Sequence, residues 1–362
     1  AGADARITAA APYPFDAKLR IGNTDLEKLG FKTPNGRPLA GALDAEVTGS
    51  GNLFRIAQSR FDARIRDFRL RAGSLQLHAQ GPVLAGYRDR SIEIAPATLV
   101  SGNSSLAVSG RAPLGKDAPP GSLNLELRLD LAQAAGFELL PEGYTAEGMA
   151  HLDLTLTGTP SKPGGAGTFS LDRGTFRIPG IAVPLTDISV RATVEEGAAV
   201  VRKGDASWGE GRIALTGEFP FGLLPENLPV QIPRKAGPAV FSLDVRGLRP
   251  EAAEKLPPGI TGLISVRAEG SATATDLRAL TARIEFPDLQ FRMNEFSLGQ
   301  TQPSRLSVRD GILSVERLTL SGTETNLDVR GSAGILPDGP LDVRVAGSLN
   351  AALLTFNNPD LR

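Results

Sequence analysis

The chain has 362 residues and a formal net charge of -1, with 39 Lys and Arg against 40 Asp and Glu, so it lacks the basic surplus that phosphate-backbone binding needs. It contains no cysteine, which excludes disulfides and thiolate metal sites, and only two histidines, His78 and His151, with no His-x-x-x-His spacing. Abundant Gly (41) and Pro (27) beside scarce helical patterns point to many short strands joined by turns.

In chain order, a short helix-like piece comes first, Asp25–Gly30, with Asp25 placed to cap it and Gly30 to stop it. Arg64-Ile65-Arg66-Asp67-Phe68-Arg69-Leu70-Arg71 is the most basic run and reads as a solvated strand face. His78 and His151 fall on polar alternates and read as surface histidines. From Ser122 the period-two signal becomes strong: Leu123, Leu125, Leu127 and Leu129 alternate with Asn124, Glu126 and Arg128, and Leu152, Leu154 and Leu156 with Asp153 and Thr155. A second helix-like piece, Asp130–Gly136, lies between these two strands.

Gly164-Gly165-Ala166-Gly167 lacks the Gly-Lys-[Ser/Thr] ending of a phosphate loop and reads as a hinge or loop. Asp172-Arg173-Gly174 is expected to turn between Thr168–Leu171 and Thr175–Ile178, and Glu196-Gly197 between Ile188–Val194 and Ala198–Arg202. Alternation continues through Phe241–Arg246, Arg283–Phe286, Leu306–Arg309 and Leu327–Arg330, with Asp310-Gly311 as a further hairpin turn. Pro250–Leu256 and Asn350–Leu354 are two more helix-like pieces.

A longer period overlies these elements. Strands closing in a small residue at Ala11, Gly110, Gly217 and Gly331 recur at intervals of roughly a hundred residues. Each is followed by another strand and then a helix-like piece. The implied division is the tail of a preceding repeat (1–15), three repeat units (16–120, 121–237 and 238–339) and the start of another (340–362). The chain is thus expected to be an internal segment of a longer protein. Possible linkers lie at 115–121, 225–237 and 337–340, each short and flanked by strand patterns.

Strands with one apolar face must cover it, and one short helix per unit is too little for five or six strands. The face can pack on itself as a sandwich, close into a barrel, or line an open trough. At ~4.8 Å per strand, a unit of five or six strands advances about 25–30 Å. The expected fold is mostly β, an elongated repeat of antiparallel strands curled into a U-shaped trough with one short helix per repeat. Tandem β-sandwiches are the alternative.

Leu318–Gly334 and Ala206–Gly217 each read as strand, glycine-rich turn, strand ending in Gly. In this they resemble the TamB/AsmA-like superfamily of Gram-negative envelope proteins. The resemblance covers most of the chain and rests on apolar alternation and glycine, with no invariant polar motif. It implies a β-taco with an apolar interior, located in the periplasm and tied to the inner membrane by an anchor absent from this sequence. It also implies phospholipid as cargo, carried between inner and outer membranes, and an outer-membrane barrel as possible partner. The alternative function is a scaffolding β-repeat that assists outer-membrane protein assembly or holds a larger envelope complex.

The residues expected to line the trough are Leu125, Leu127, Leu152, Leu154, Phe169, Leu171, Phe176, Ile178, Ile213, Leu215, Leu243, Val245, Ile264, Val266, Ile284, Phe286, Phe291, Leu327 and Val329. The competing reading of the same residues is an ordinary dry sandwich core. No nucleophile, acid and base can be grouped from the sequence, so no enzyme activity, cofactor, metal or nucleic-acid partner is expected.

Overall fold

The computed structural model describes residues 2–8, 13–29, 40–72, 75–115, 117–133, 143–179, 181–224, 233–252, 260–293, 296–336 and 339–350. They form 22 strands with almost no helix. The strands are β1 (Gly2–Ile7), β2 (Pro14–Asp25), β3 (Ala40–Asn52), β4 (Arg60–Ala72), β5 (Leu75–Ala79), β6 (Val83–Arg88), β7 (Ser91–Ser101), β8 (Ser104–Pro113), β9 (Gly121–Asp130), β10 (Thr145–Thr159) and β11 (Lys162–Arg177). They continue with β12 (Leu185–Glu195), β13 (Ala198–Trp208), β14 (Gly211–Pro220), β15 (Ala239–Leu248), β16 (Ile260–Ala272), β17 (Leu280–Met293), β18 (Phe296–Gln300), β19 (Ser304–Arg309), β20 (Ile312–Gly322), β21 (Thr325–Gly334) and β22 (Leu341–Ser348).

All 22 strands belong to one antiparallel sheet, whereas tandem β-sandwiches would need separate sheets. The chain forms two compact units. One comprises residues 1–171, 193–197 and 227–233, and the other residues 172–192, 198–226 and 234–362.

In the first unit, β1 to β4 pair in sequence order; β4 then pairs with both β5 and β6, both of these pair with β7, and β7 to β10 pair in order. The second unit repeats the device: β13 to β17 pair in order, β17 meets both β18 and β19, both meet β20, and β20 to β22 follow. A capped 3₁₀ turn precedes the split in each unit. Asn52 caps Leu53–Gln58 by accepting from the Phe54 N–H, and Asp276 caps Leu277–Ala279 by accepting from the Arg278 N–H.

Local sequence explains the hairpins. Asp310 and Gly311 take φ of +53° and +74° between the paired Arg309 and Ile312, and Glu196 and Gly197 take +49° and +81°, the double positive φ of a two-residue turn. Trp208-Gly209-Glu210-Gly211 and Gly322-Thr323-Glu324-Thr325 are likewise tight turns, closing β13 on β14 and β20 on β21. The strands on either side of the three possible linkers pair directly, β8 with β9, β14 with β15, and β21 with β22, so they share one sheet.

The closing glycines have one structural cause. At Gly110 and Gly331, with φ of +119° and +130°, an added Cβ would overlap the carbonyl oxygen of Ser122 or Asp342 on the next strand; at Gly217 it would come 2.6 Å from the Val240 carbonyl oxygen. Ala11 lies outside the described residues.

Two expectations are corrected. Asp172-Arg173-Gly174 is not a hairpin turn: β11 runs unbroken through it from Lys162 to Arg177, although Arg173 takes a positive φ of +50°. Gly164–Gly167 is not a hinge but part of the same strand, where a Cβ at Gly167 would overlap the Asp153 carbonyl oxygen. Of the helix-like pieces, Leu26–Leu29, residues 131–133 and Pro250–Ala252 are single 3₁₀ turns. Gly30, Gly136 and the remainder of those pieces, including 351–354, lie outside the described residues.

Candidate functional site

Directly opposed residues on paired strands project to the same face. The registers therefore trace apolar rows across each unit. In the first, Ala3, Leu19, Val47, Ala63, Ala85, Ile94, Gly110, Leu123 and Leu156 stand side by side across nine strands. The next rows place Val108 beside Leu125 and Leu154, and Leu106 beside Leu127 and Leu152. In the second unit, Gly204, Leu215, Leu243, Ala268, Ile284, Leu306, Val315, Gly331 and Val343 form an equivalent row. Ile213, Val245 and Val266 form another.

Five of the remaining expected residues extend this surface. Ile264 stands between Leu248 and Leu289, Phe291 between Gly262 and Leu298, Leu327 beside Leu320, and Val329 between Leu318 and Val345. Phe286 faces Ser304. Phe169, Leu171 and Phe176 lie on β11, and Ile178 lies just past its end. Of the nineteen residues, Leu171 and Val245 are buried, at 9% and 7% exposure, and the other seventeen are half-buried.

Most of this face is therefore only half-buried. The largest fully buried side chains among the described residues are Ser59, Ser91 and Ser304, and most of the buried apolar residues are alanines. A close-packed sandwich core would instead enclose its Leu, Ile and Phe side chains.

Sequence reasoning missed the N-terminal part of the rows, before residue 125. The signal there is weak because the apolar alternates are largely Ala and Gly, as at Ala3, Ala63, Ala85 and Gly110. Phenylalanines fill the space above such glycines: Phe61 faces Gly49, and Phe241 faces Gly270.

The opposite face carries charge. Glu46 binds Lys18 at 2.7 Å, Arg66 at 3.2 Å and Arg20 at 3.3 Å. The hydrogen bond from Lys18 leads in holding the Glu46 carboxyl below the usual carboxylate range, with Arg20 assisting against partial desolvation. Asp244 is held low in the same way, first by its hydrogen bond from Arg246, whose Nε donates to Oδ1 at 2.7 Å, and also by Arg267. The spacing Asp-Val-Arg at 244–246 and 328–330 makes same-face pairs two residues apart, a pattern legible in the sequence but not noticed there. His151 stands opposite Arg128 on this face and His78 opposite Arg69. The depressions framed by charged side chains, such as the one at Asp187, Asp205, Arg212 and Asp244, open on this polar side.

Among the described residues no group of three or more His, Asp or Glu could hold a metal, and no helix is long and apolar enough to cross a membrane. Comparison of the chain with the models of known protein families, with curated proteins and with solved structures found no match.

Proposed function

We propose that the apolar rows are a surface for lipid acyl chains, and that the chain is a segment of a periplasmic protein that carries phospholipid between inner and outer membranes. The observation that carries this reading is the half-burial of the rows: apolar residues, Leu, Ile and Val interspersed with Ala and Gly, repeat across nine strands in each unit, and most of their side chains stay partly exposed. Such a face costs free energy in water unless something apolar occupies it. The trough shape and the resemblance of Leu318–Gly334 and Ala206–Gly217 to the TamB/AsmA-like superfamily belong to the same proposal.

The mechanism follows from the chemistry of the rows. Each acyl CH₂ laid on them contributes about 0.8 kcal/mol. Val, Leu, Ile, Ala and Gly offer no polar anchor, so neighbouring positions along a row are nearly equal in free energy and a chain can slide. The head group stays in water. Charged residues stand on the other face, where they keep the sheet soluble without competing for cargo.

The test is gentle purification of the chain followed by native mass spectrometry and lipid extraction. Co-purifying phospholipid, lost when Leu243→Asp and Ile284→Asp are combined in a protein that keeps its β circular-dichroism spectrum, is the expected result. Recovery of no phospholipid from the unaltered chain overturns it.

A second reading, a scaffold that adds strands from a partner, is favoured by β22. Among the described residues it pairs with β21, and it exposes Leu341 at 77% and Val345 at 60%. A strand of this kind suits β-strand addition.

A further inference from the structure

The turn between β3 and β4 presents apolar side chains that the apolar face does not need. Phe54 is 80% exposed, Ile56 55% and Leu53 40%. The turn is nevertheless well built. Asn52 Oδ1 accepts from the Phe54 N–H at 2.9 Å, the Ser59 N–H donates to the Ile56 carbonyl at 2.9 Å, and the Leu53 N–H donates to the Tyr13 carbonyl at 3.3 Å. Tyr87 Oη donates to the Ala57 carbonyl at 3.3 Å, and the Tyr13 ring meets Phe54 edge-on at 5.2 Å. A turn held by this many bonds keeps its aromatic and aliphatic side chains pointed into solvent by construction.

The charged residues in and just after this turn are basic, although Arg60 also lines a depression with Asp4, Asp16 and Asp62. Arg55 lies within it and Arg60 follows it, and neither has an ion-pair partner among the described residues. Residues 1–111 carry 15 Lys and Arg against 10 Asp and Glu, while the remainder carries 24 against 30. The equivalent capped turn of the second unit, Leu277–Ala279, exposes one large apolar side chain, Leu277, and no aromatic.

We propose that Leu53–Gln58 is a membrane-docking point: Leu53, Phe54 and Ile56 enter the interfacial layer of an anionic bilayer while Arg55 and Arg60 meet lipid phosphates. Three apolar side chains on a six-residue turn present far less than the ~800 Å² per partner of a specific protein interface. Apolar insertion joined to basic residues is, by contrast, the two-signal combination that makes interfacial anchoring stable. This inference does not rest on the lipid-carrying reading, since a docking turn serves any protein that works at a bilayer.

The test is co-flotation of the full chain with vesicles of phosphatidylcholine and phosphatidylglycerol in about equal parts, against vesicles of phosphatidylcholine alone. Binding to the mixed vesicles that weakens with added salt is expected, with Phe54→Ser plus Ile56→Ser lowering affinity by about tenfold or more. Arg55→Glu should lower it further, and Leu277→Ser should leave it unchanged. Because the chain has no cysteine, Gln58→Cys can carry a unique environment-sensitive dye, whose emission should shift to the blue on the mixed vesicles. No binding, binding indifferent to the Phe54 and Ile56 changes, or self-association in solution that those changes abolish would each overturn the proposal, the last by assigning the turn to a second copy of the chain.

Discussion

The ring of Phe61 lies directly on Gly49 across the β3–β4 pair, so close that a Cβ added to Gly49 would come 2.6 Å from ring atom Cε1. Phe15 and Tyr87 flank the Phe61 ring at centroid distances of 6.2 and 5.9 Å, which limits where it can move. Where a strand leaves room for a Cβ at a compatible φ, Gly→Ala stabilises by restricting the unfolded chain. Here the clash decides the sign. Gly49→Ala is expected to lower stability by about 1–3 kcal/mol. Phe61→Leu combined with it should recover part of that loss. Chemical denaturation of the two single variants and the double variant measures the coupling, and simple additivity would show that the ring and the glycine do not interact.

Gly331 meets a harder obstacle. Its φ of +130° disfavours an L side chain, and a Cβ would overlap the Asp342 carbonyl oxygen. Backbone cannot step aside as a ring can, so Gly331→Ala should destabilise by roughly 1–3 kcal/mol or more, and no change on β22 short of separating the strands should restore it. Gly110→Ala is expected to behave alike because Ser122 stands in the same relation to it. Thermal melts check both. An unchanged midpoint would contradict the shared cause of the repeat.

The charged face makes stability depend on acid. Glu46 titrates below its unfolded value because Lys18 and Arg20 favour the carboxylate. Its contribution is present in full above the usual carboxylate range and is lost as pH falls through the depressed folded value. Asp244 acts in the same direction beside Arg246 and Arg267. Melting temperature against pH should therefore drop more steeply on the acid side for the unaltered chain than for Glu46→Gln with Asp244→Asn. Both groups are half-buried and still reach solvent, so the difference should be small and should shrink with salt.

Among the described residues, the apolar row ends at β22, which pairs with β21. Leu341, Val343 and Val345 alternate with Asp342 and Arg344 on a strand whose residues are all exposed. Sedimentation velocity should show association that grows with protein concentration, and Val345→Lys should suppress it, since a charge on an edge strand opposes pairing with another chain. Equal association in both proteins would exclude this strand as its cause.

Much of the strand content was legible because alternation is a local property. Leu123, Leu125, Leu127 and Leu129 must share a face once the segment is extended, and Asp310-Gly311 must turn once both residues take positive φ. The misreadings at Gly164–Gly167 and Asp172–Gly174 share a reason. Glycine permits a turn, a bulge or a close approach of backbones, and only the neighbouring strand decides among them.

By itself, the sequence determined that this protein is built of one-sided antiparallel strands with a recurring glycine, since side-chain periodicity and backbone permissiveness are written residue by residue. Tertiary structure decided which rows meet, that the strands flanking the three supposed linkers pair within a single sheet, and that Leu243 and Ile284 stay half-buried. Burial depends on what lies across from a side chain, and that neighbour is set by pairing between segments that no local pattern specifies.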